Sequence, residues 1–238
     1  MFRRIVVAAL CLALLMGWGG SMTTQVTAAT TSEYIAKYRA NMPAYMQHEV
    51  PIINSFRSSY QGALGQKIVN RAIWYMENGY MVYGHSNYVN DGRIDCSNFT
   101  SLVYKDFGIP ITSASRNYGQ VGVRVTGVYS KLQPGSTTKY MLVGVDKLRA
   151  GDILTFWKLD SNGNRYIGHV ALYMGKIDGK PCIIHTVSNR PTAIGITNSF
   201  TWWYGKNFQE ARRILPVSSY RVIPKTYQLP PQKPVVMP

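Results

Sequence analysis

Phe99, Leu102, Val103 and Phe107 recur at helical spacing between Asp95, a residue type that caps helix starts, and Gly108-Ile-Pro110, where a helix has to stop. The pattern predicts an amphipathic helix over residues 96–107, with one apolar face that the rest of the chain must cover. It also places Cys96 in the first helical turn. Unpaired backbone N–H groups and the positive end of the helix dipole lie there, and both favour a thiolate over a thiol. That is a position for a nucleophile. A small apolar cysteine packed in the core is the competing reading, yet Asp95, Ser97 and Asn98 around it are polar, whereas a core cysteine usually has apolar neighbours.

Three strand patterns come later, at Asp152–Trp157, Gly168–Gly175 and Cys182–Val187, with a closing one at Ala211–Leu215. His169 opens the second, where His169, Ala171 and Tyr173 alternate with Val170, Leu172 and Met174, and His185 lies inside the third. Either histidine alone could be a satisfied structural residue. With Cys96 they supply a set of parts: a thiol, a base to hold its proton, and a third group to orient the base. The turn between the strands tests this. A two-residue turn at Asp178-Gly179 would put Ile177 opposite Lys180 and His185 opposite Leu172, on the wrong face for His169. A register offset, from a three-residue loop or a bulge, brings both histidines to one face. The offset is expected.

Met1-Phe-Arg-Arg and the apolar run Ile5 to Met16 look like a secretory leader cut near Ala29, with an apolar stretch too short to span a membrane comfortably. Leu10-Cys11 lacks the context of a lipid-modified cysteine, so no membrane anchor is expected after leader removal. Cleavage would remove Cys11, Arg3 and Arg4, lowering the formal net charge from +15 to +13 and leaving two cysteines, too few for a disulfide scaffold. The remaining excess of Lys and Arg is scattered, as on a solvated basic surface. For an exported chain it suggests anionic wall polymers as neighbours, and no nucleic-acid motif is present.

The expected organisation is a leader over 1–29, a helical extension over 30–65 interrupted by Pro43 and Pro51, a main domain over 66–216 and a proline-rich tail over 217–238. A helix is predicted at about 66–78, with Ile68, Val69, Ala72, Ile73 and Met76 on one face. Residues 110 to about 147 read as loop-rich, with a short β pattern at Val121 to Val125 and a turn at Pro134-Gly135. His48 and His85 read as solvent-facing, Cys182 as a core thiol, and Asp95 and Asp152 as cap and turn residues. Trp202-Trp203-Tyr204 reads as packing, with a sugar or peptide platform as the alternative.

Asp95-Cys96-Ser97-Asn98-Phe99, Leu148-Arg-Ala-Gly-Asp152-Ile-Leu-Thr-Phe156, Gly168-His169-Val-Ala-Leu-Tyr-Met-Gly175 and Ile184-His185 resemble, in order and spacing, the successive blocks of the NlpC/P60 cysteine peptidases. The resemblance implies an α+β, papain-like fold with the cysteine-bearing helix packed on a small antiparallel sheet. It implies exported peptidoglycan hydrolases that cut stem peptides, most often between γ-D-glutamate and a diamino acid, without cofactor or metal. By position, Cys96 is the nucleophile, His169 the base and His185 the orienting residue. Tyr80 matches a tyrosine that helps hold the oxyanion or substrate, with Tyr83 where the family often has glycine, and Ser97 and Ser115 match substrate-touching positions. Asn98 replaces a usual glycine, and Val123 to Val145 is longer than the usual connection.

Other readings keep some of these residues. The same fold could carry a muramoyl-alanine amidase, a cross-bridge peptidase, or an acyl or amide transferase. It could also be a basic wall-binding module without turnover. Cys96, His169 and His185 could instead ligate zinc with an open position, although the helix terminus already accounts for the cysteine.

Overall fold

The structure, a computed structural model, describes residue 36 and residues 40–44, 46–85, 88, 92–188, 192–198, 205–216 and 218. The leader, Trp202-Trp203-Tyr204 and the tail apart from Ser218 lie outside the described residues. Helix α1 (Glu49–Ser58) buries Ile52, Ile53 and Phe56, and α2 (Leu64–Asn78) buries Ile68, Val69, Ala72, Ile73 and Met76. Both follow the three-and-four spacing of a helix with one apolar face. Pro51 does not interrupt α1, because it lies in the first turn, where a missing N–H removes no intrahelical bond. Residues of the expected extension, among them Met46, Ile53 and Phe56, share one core with α2 and the sheet. Ser55 also donates to Asp178 at 2.7 Å, tying α1 to the sheet's principal turn.

Helix α3 (Cys96–Lys105) buries Phe99 and Val103 in the same core. Just past its end, Asp106 accepts from Arg71 Nε at 2.5 Å and from the Tyr75 hydroxyl at 2.7 Å, joining α2 to α3. Gly108 then turns the chain with a left-handed φ of 71°, and Ile109 N–H reaches back to the Tyr104 carbonyl. No helix among the described residues is long and apolar enough to cross a membrane.

A short parallel pair, β1 (Val82–Tyr83) and β2 (Arg93–Ile94), leads into α3. The remaining strands are β3 (Val123–Arg124), β4 (Tyr129–Leu132), β5 (Tyr140–Val143), β6 (Ile153–Leu159), β7 (Arg165–Ile177), β8 (Lys180–Thr186), β9 (Ile194–Thr197) and β10 (Phe208–Arg213). Six of them form an antiparallel sheet in the order β3-β10-β6-β7-β8-β9. Val170, Leu172, Met174, Ile184, Ile194 and Ile196 join the core that contains the helices. The opposite face, with Leu154, Phe156, Ala171, Tyr173 and Ile183, packs under Val128, Leu142 and Leu148.

That second layer corrects the loop-rich reading of residues 110–147. They contain a 3-10 turn, Ser115–Gln120, and the β4–β5 hairpin around Pro134-Gly135. The hairpin escapes a period-two reading because Tyr129, Leu132 and Met141 are exposed and only Leu142 is buried.

The β7–β8 connection is the two-residue turn, not a longer loop: Ile177 pairs with Lys180, and Asp178 and Gly179 have φ of 50° and 74°. The expected offset comes from a bulge instead. Tyr173 pairs with Ile183 but Gly175 with Cys182, so Met174 is an extra residue on β7. Leu172 then faces Ile184, which puts His185 opposite Ala171.

Candidate active site

Asp95 precedes α3 in extended backbone geometry and acts as its N-cap. Its Oδ1 accepts from Asn98 N–H at 2.8 Å and from the Ser97 hydroxyl at 2.9 Å, and its Oδ2 lies 2.5 Å from His85 Nδ1. His85 is exposed, as expected of a loop histidine, but it is tied to the cap. Asn98 in place of glycine leaves the cap bond intact.

Cys96 is 6% exposed, and the backbone N–H groups of Val170 and Ser97 lie close enough to its sulfur to favour the thiolate. Val170 follows His169, so the thiol lies against β7 at the residue after the histidine. Burial is the largest influence on the thiol and pushes its pKa up to about 11. Val170 N–H, the Lys158 ammonium and Ser97 N–H pull it down, and the Asp95 charge raises it. The expectation that the helix start would favour the thiolate is therefore outweighed by desolvation. Burial likewise drives His169 well below the usual imidazole range, with the charges of His185 and Lys158 acting in the same direction. Both shifts act in the same sense, favouring the uncharged thiol and the uncharged imidazole.

The two histidines meet. His169 Nε2 lies 2.9 Å from His185 Nδ1, and His185 Nε2 lies 2.9 Å from Thr197 Oγ1. Both rings are buried and stand nearly perpendicular, at 78°. His169 is also held at one side by Phe156, its cross-strand partner on β6, with ring centroids 5.9 Å apart. With His169 Nε2 facing His185, the ring has its second nitrogen, Nδ1, on the side away from that contact.

The tyrosines and serines distribute less simply. Tyr80 is buried in the turn between α2 and β1, with a left-handed φ of 52°. Tyr83 lies within electrostatic reach of Cys96: its phenol is raised first by burial, then by negative charge on Cys96 and Asp95. Ser97 is committed to the Asp95 cap. Ser115 starts the 3-10 turn, half-buried, and from that turn the Tyr118 hydroxyl donates to the Ser97 carbonyl at 2.9 Å, bracing the start of α3. Sequence reasoning did not single out Thr197, Tyr118 or Lys158. Thr197 ends a four-residue strand containing a glycine, too short a pattern to read, while Tyr118 sat in apparent loop.

The family model for NlpC/P60 matches residues 77–213, more than half of the chain and the part holding Cys96, His169 and His185. The chain belongs to the NlpC/P60 family. Its α+β architecture, a cysteine-bearing helix packed on an antiparallel sheet, is the NlpC/P60 fold. Members of the family are generally cysteine peptidases that act on cell walls. Similar solved structures include an NlpC/P60 family protein from Bacillus cereus, 25% identical with a TM-score of 0.43, over 64% of this chain and 40% of that one. A Staphylococcus aureus protein of the family, described as similar to lipoprotein, is 21% identical with a TM-score of 0.40, over 64% and 41%. The P60 domain of a Mycobacterium avium subspecies paratuberculosis antigen is 14% identical with a TM-score of 0.41, over 64% and 98%. The chain thus covers about two fifths of the first two proteins. No curated protein sequence matches it.

Proposed function

We propose that this NlpC/P60 protein is an exported cysteine endopeptidase that hydrolyses amide bonds in peptidoglycan stem peptides, with the γ-D-glutamyl-diamino acid bond as its target. The observation that supports this most is the hydrogen-bonded series His169, His185, Thr197 beside a thiol at a helix start. For His169 Nδ1 to accept a proton, Nε2 must carry one and donate it to His185 Nδ1. His185 Nε2–H then donates to Thr197 Oγ1. Each nitrogen in the series has one role.

Cys96 Sγ attacks the amide carbonyl carbon as its proton moves to His169 Nδ1, a transfer that needs no preformed ion pair. The carbonyl π electrons move onto oxygen, and the backbone N–H of Cys96 at the helix start stabilises the oxyanion. Collapse breaks the C–N bond, His169 returns its proton to the departing amine, and a thioester remains. Water, deprotonated by His169, then hydrolyses the thioester and restores the thiol. Burial of the thiol and imidazole keeps bulk water from competing for these proton transfers.

Incubation of the full chain with defined muropeptides, followed by mass spectrometry, tests both chemistry and bond. Release of the γ-D-glutamyl fragment by wild type, and its loss in Cys96→Ala, is the expected result. A product cut at the muramoyl-alanine bond would instead mark an amidase. Undiminished turnover by Cys96→Ala would remove the cysteine from the mechanism.

A further inference from the structure

Lys158 is the next-to-last residue of β6 and pairs across the sheet with Tyr166. The β6–β7 register breaks beside it: Phe156 pairs with His169 but Trp157 with Ile167, so Gly168 is the extra residue of a bulge. The Lys158 stem lies over that glycine. A Cβ at position 168 would come within 2.6 Å of both Cγ and Cδ of Lys158, so a glycine is needed there for the stem to pass. Gly168 adjoins His169, so this route carries the lysine toward the thiol–imidazole pair, and its ammonium acts electrostatically on both Cys96 and His169.

The charge is not cancelled locally. Among the described residues no carboxylate forms an ion pair with Lys158. Asp95, the acid nearest the thiol in chain order, is already engaged by Asn98, Ser97 and His85. On the other side, Arg116 lies 4.0 Å over the ring of Tyr166, the cross-strand partner of Lys158. Arg116 and Arg165 line an adjoining cleft of about 300 Å³ with Tyr166, Ile167 and Gln209. The cleft beside Tyr166 is thus lined by two cationic side chains.

We propose that Lys158 forms an anion subsite beside Cys96, receiving a carboxylate that the substrate carries next to its scissile amide. The stem passes over Gly168 while the side chain as a whole stays exposed, which leaves the ammonium open to a ligand. A γ-linked glutamyl residue has such a carboxylate and a diamino acid adds another. A neutral peptide has none. Only this choice of substrate rests on the proposed peptidase activity, because the subsite itself can be probed with small alkylating reagents.

The test compares alkylation of Cys96 by iodoacetate and by iodoacetamide, followed by mass spectrometry at low and high salt in wild type, Lys158→Met and Lys158→Arg. The methionine keeps the stem over Gly168 and removes the charge. The iodoacetate-to-iodoacetamide rate ratio should fall roughly fivefold in Lys158→Met, as for loss of one close charge in a solvated cleft. It should persist in Lys158→Arg and shrink in wild type at high salt. An unchanged ratio in Lys158→Met overturns the subsite. In a second arm, stem peptides with free or amidated carboxylates flanking the amide are compared by kcat and KM. Lys158→Met should raise KM for the free acid and leave the amide's KM unchanged, and an equal effect on both overturns the assignment. If wild type cleaves neither peptide, the peptidase reading fails while the alkylation ratio still decides the subsite.

Discussion

His169 Nε2 and His185 Nδ1 lie 2.9 Å apart, although the two-residue turn joining their strands would by itself send the rings to opposite faces. One extra residue, Met174, reconciles the two facts. Because side chains alternate along a strand, a single insertion between the turn and the histidines exchanges faces for everything beyond it. The bulge is therefore as much part of the candidate site as either ring, since without it His185 would join the helix-facing core and His169 would lose its orienting partner.

The series of bonds predicts graded kinetic losses. His185→Ala removes the group that holds His169 and should lower kcat on a stem peptide by a factor on the order of 10² to 10⁴. Thr197→Val keeps the shape and removes only the acceptor for His185 Nε2, so a loss of roughly fivefold is expected, as for one hydrogen bond. Steady-state kinetics on folded variants, checked by circular dichroism, measure both. A Thr197→Val loss as large as that of His185→Ala would contradict the ordering.

The buried thiol has a signature that needs no substrate. With its pKa pushed up to about 11, alkylation of Cys96 by neutral iodoacetamide should be slow at pH 7 and climb through pH 10. An inflection below pH 8, located at Cys96 by peptide mapping, would show that the thiolate is favoured at rest. His169 adds a stability effect of definite sign. Its folded pKa is depressed, so its contribution is fully present above the unfolded value near 6.5 and is lost as pH falls from there toward the folded pKa. Urea midpoints should fall between pH 7 and pH 5, and less steeply in His169→Gln.

Much of this site was legible before the structure. The helix around Cys96 was readable because Asp95, the apolar spacing and Gly108 agree at every level, and β7 because His169 to Met174 alternates without interruption. The need for a register offset followed from counting residues across Asp178-Gly179, but its form did not, since Met174 looks like any other core residue. Three features were out of reach. The β4–β5 hairpin buries too few side chains to show a period, and Thr197 and Lys158 acquire their proposed roles only through neighbours on adjacent strands. A helix terminus is local and visible in sequence, whereas the desolvation that pushes the thiol's pKa up comes from the surrounding fold and is not.

The cap at Asp95 can be separated from any effect on chemistry. Asp95→Ala deletes the acceptor for Asn98 N–H and for the Ser97 hydroxyl and should destabilise the fold by about 0.5–2 kcal/mol in urea titration. Asp95→Asn retains an oxygen acceptor for the cap and removes the charge facing His85. It should therefore recover most of the lost stability. If Asp95→Asn is as unstable as Asp95→Ala, the His85 interaction and not the cap holds this end of α3.

The largest stability effect is expected away from the thiol, at Asp152. Its carboxylate is fully buried, with Arg213 Nε 2.8 Å from Oδ1 and Arg213 Nη2 2.6 Å from Oδ2, while Arg149 N–H donates to Oδ2 at 2.8 Å. Asp152 leads directly into β6, and its backbone carbonyl accepts from Tyr173 N–H on β7. Removing the arginine takes the charged donor from both oxygens of a carboxylate that solvent does not reach. Arg213→Met should therefore cost about 3–5 kcal/mol, as when one partner of a buried ion pair is deleted. The double variant Arg213→Met, Asp152→Asn removes the stranded charge and should recover part of that loss. A denaturation cycle over the four proteins measures the coupling. Additive effects would mean that the pair is solvated and that Asp152 acts only through its turn.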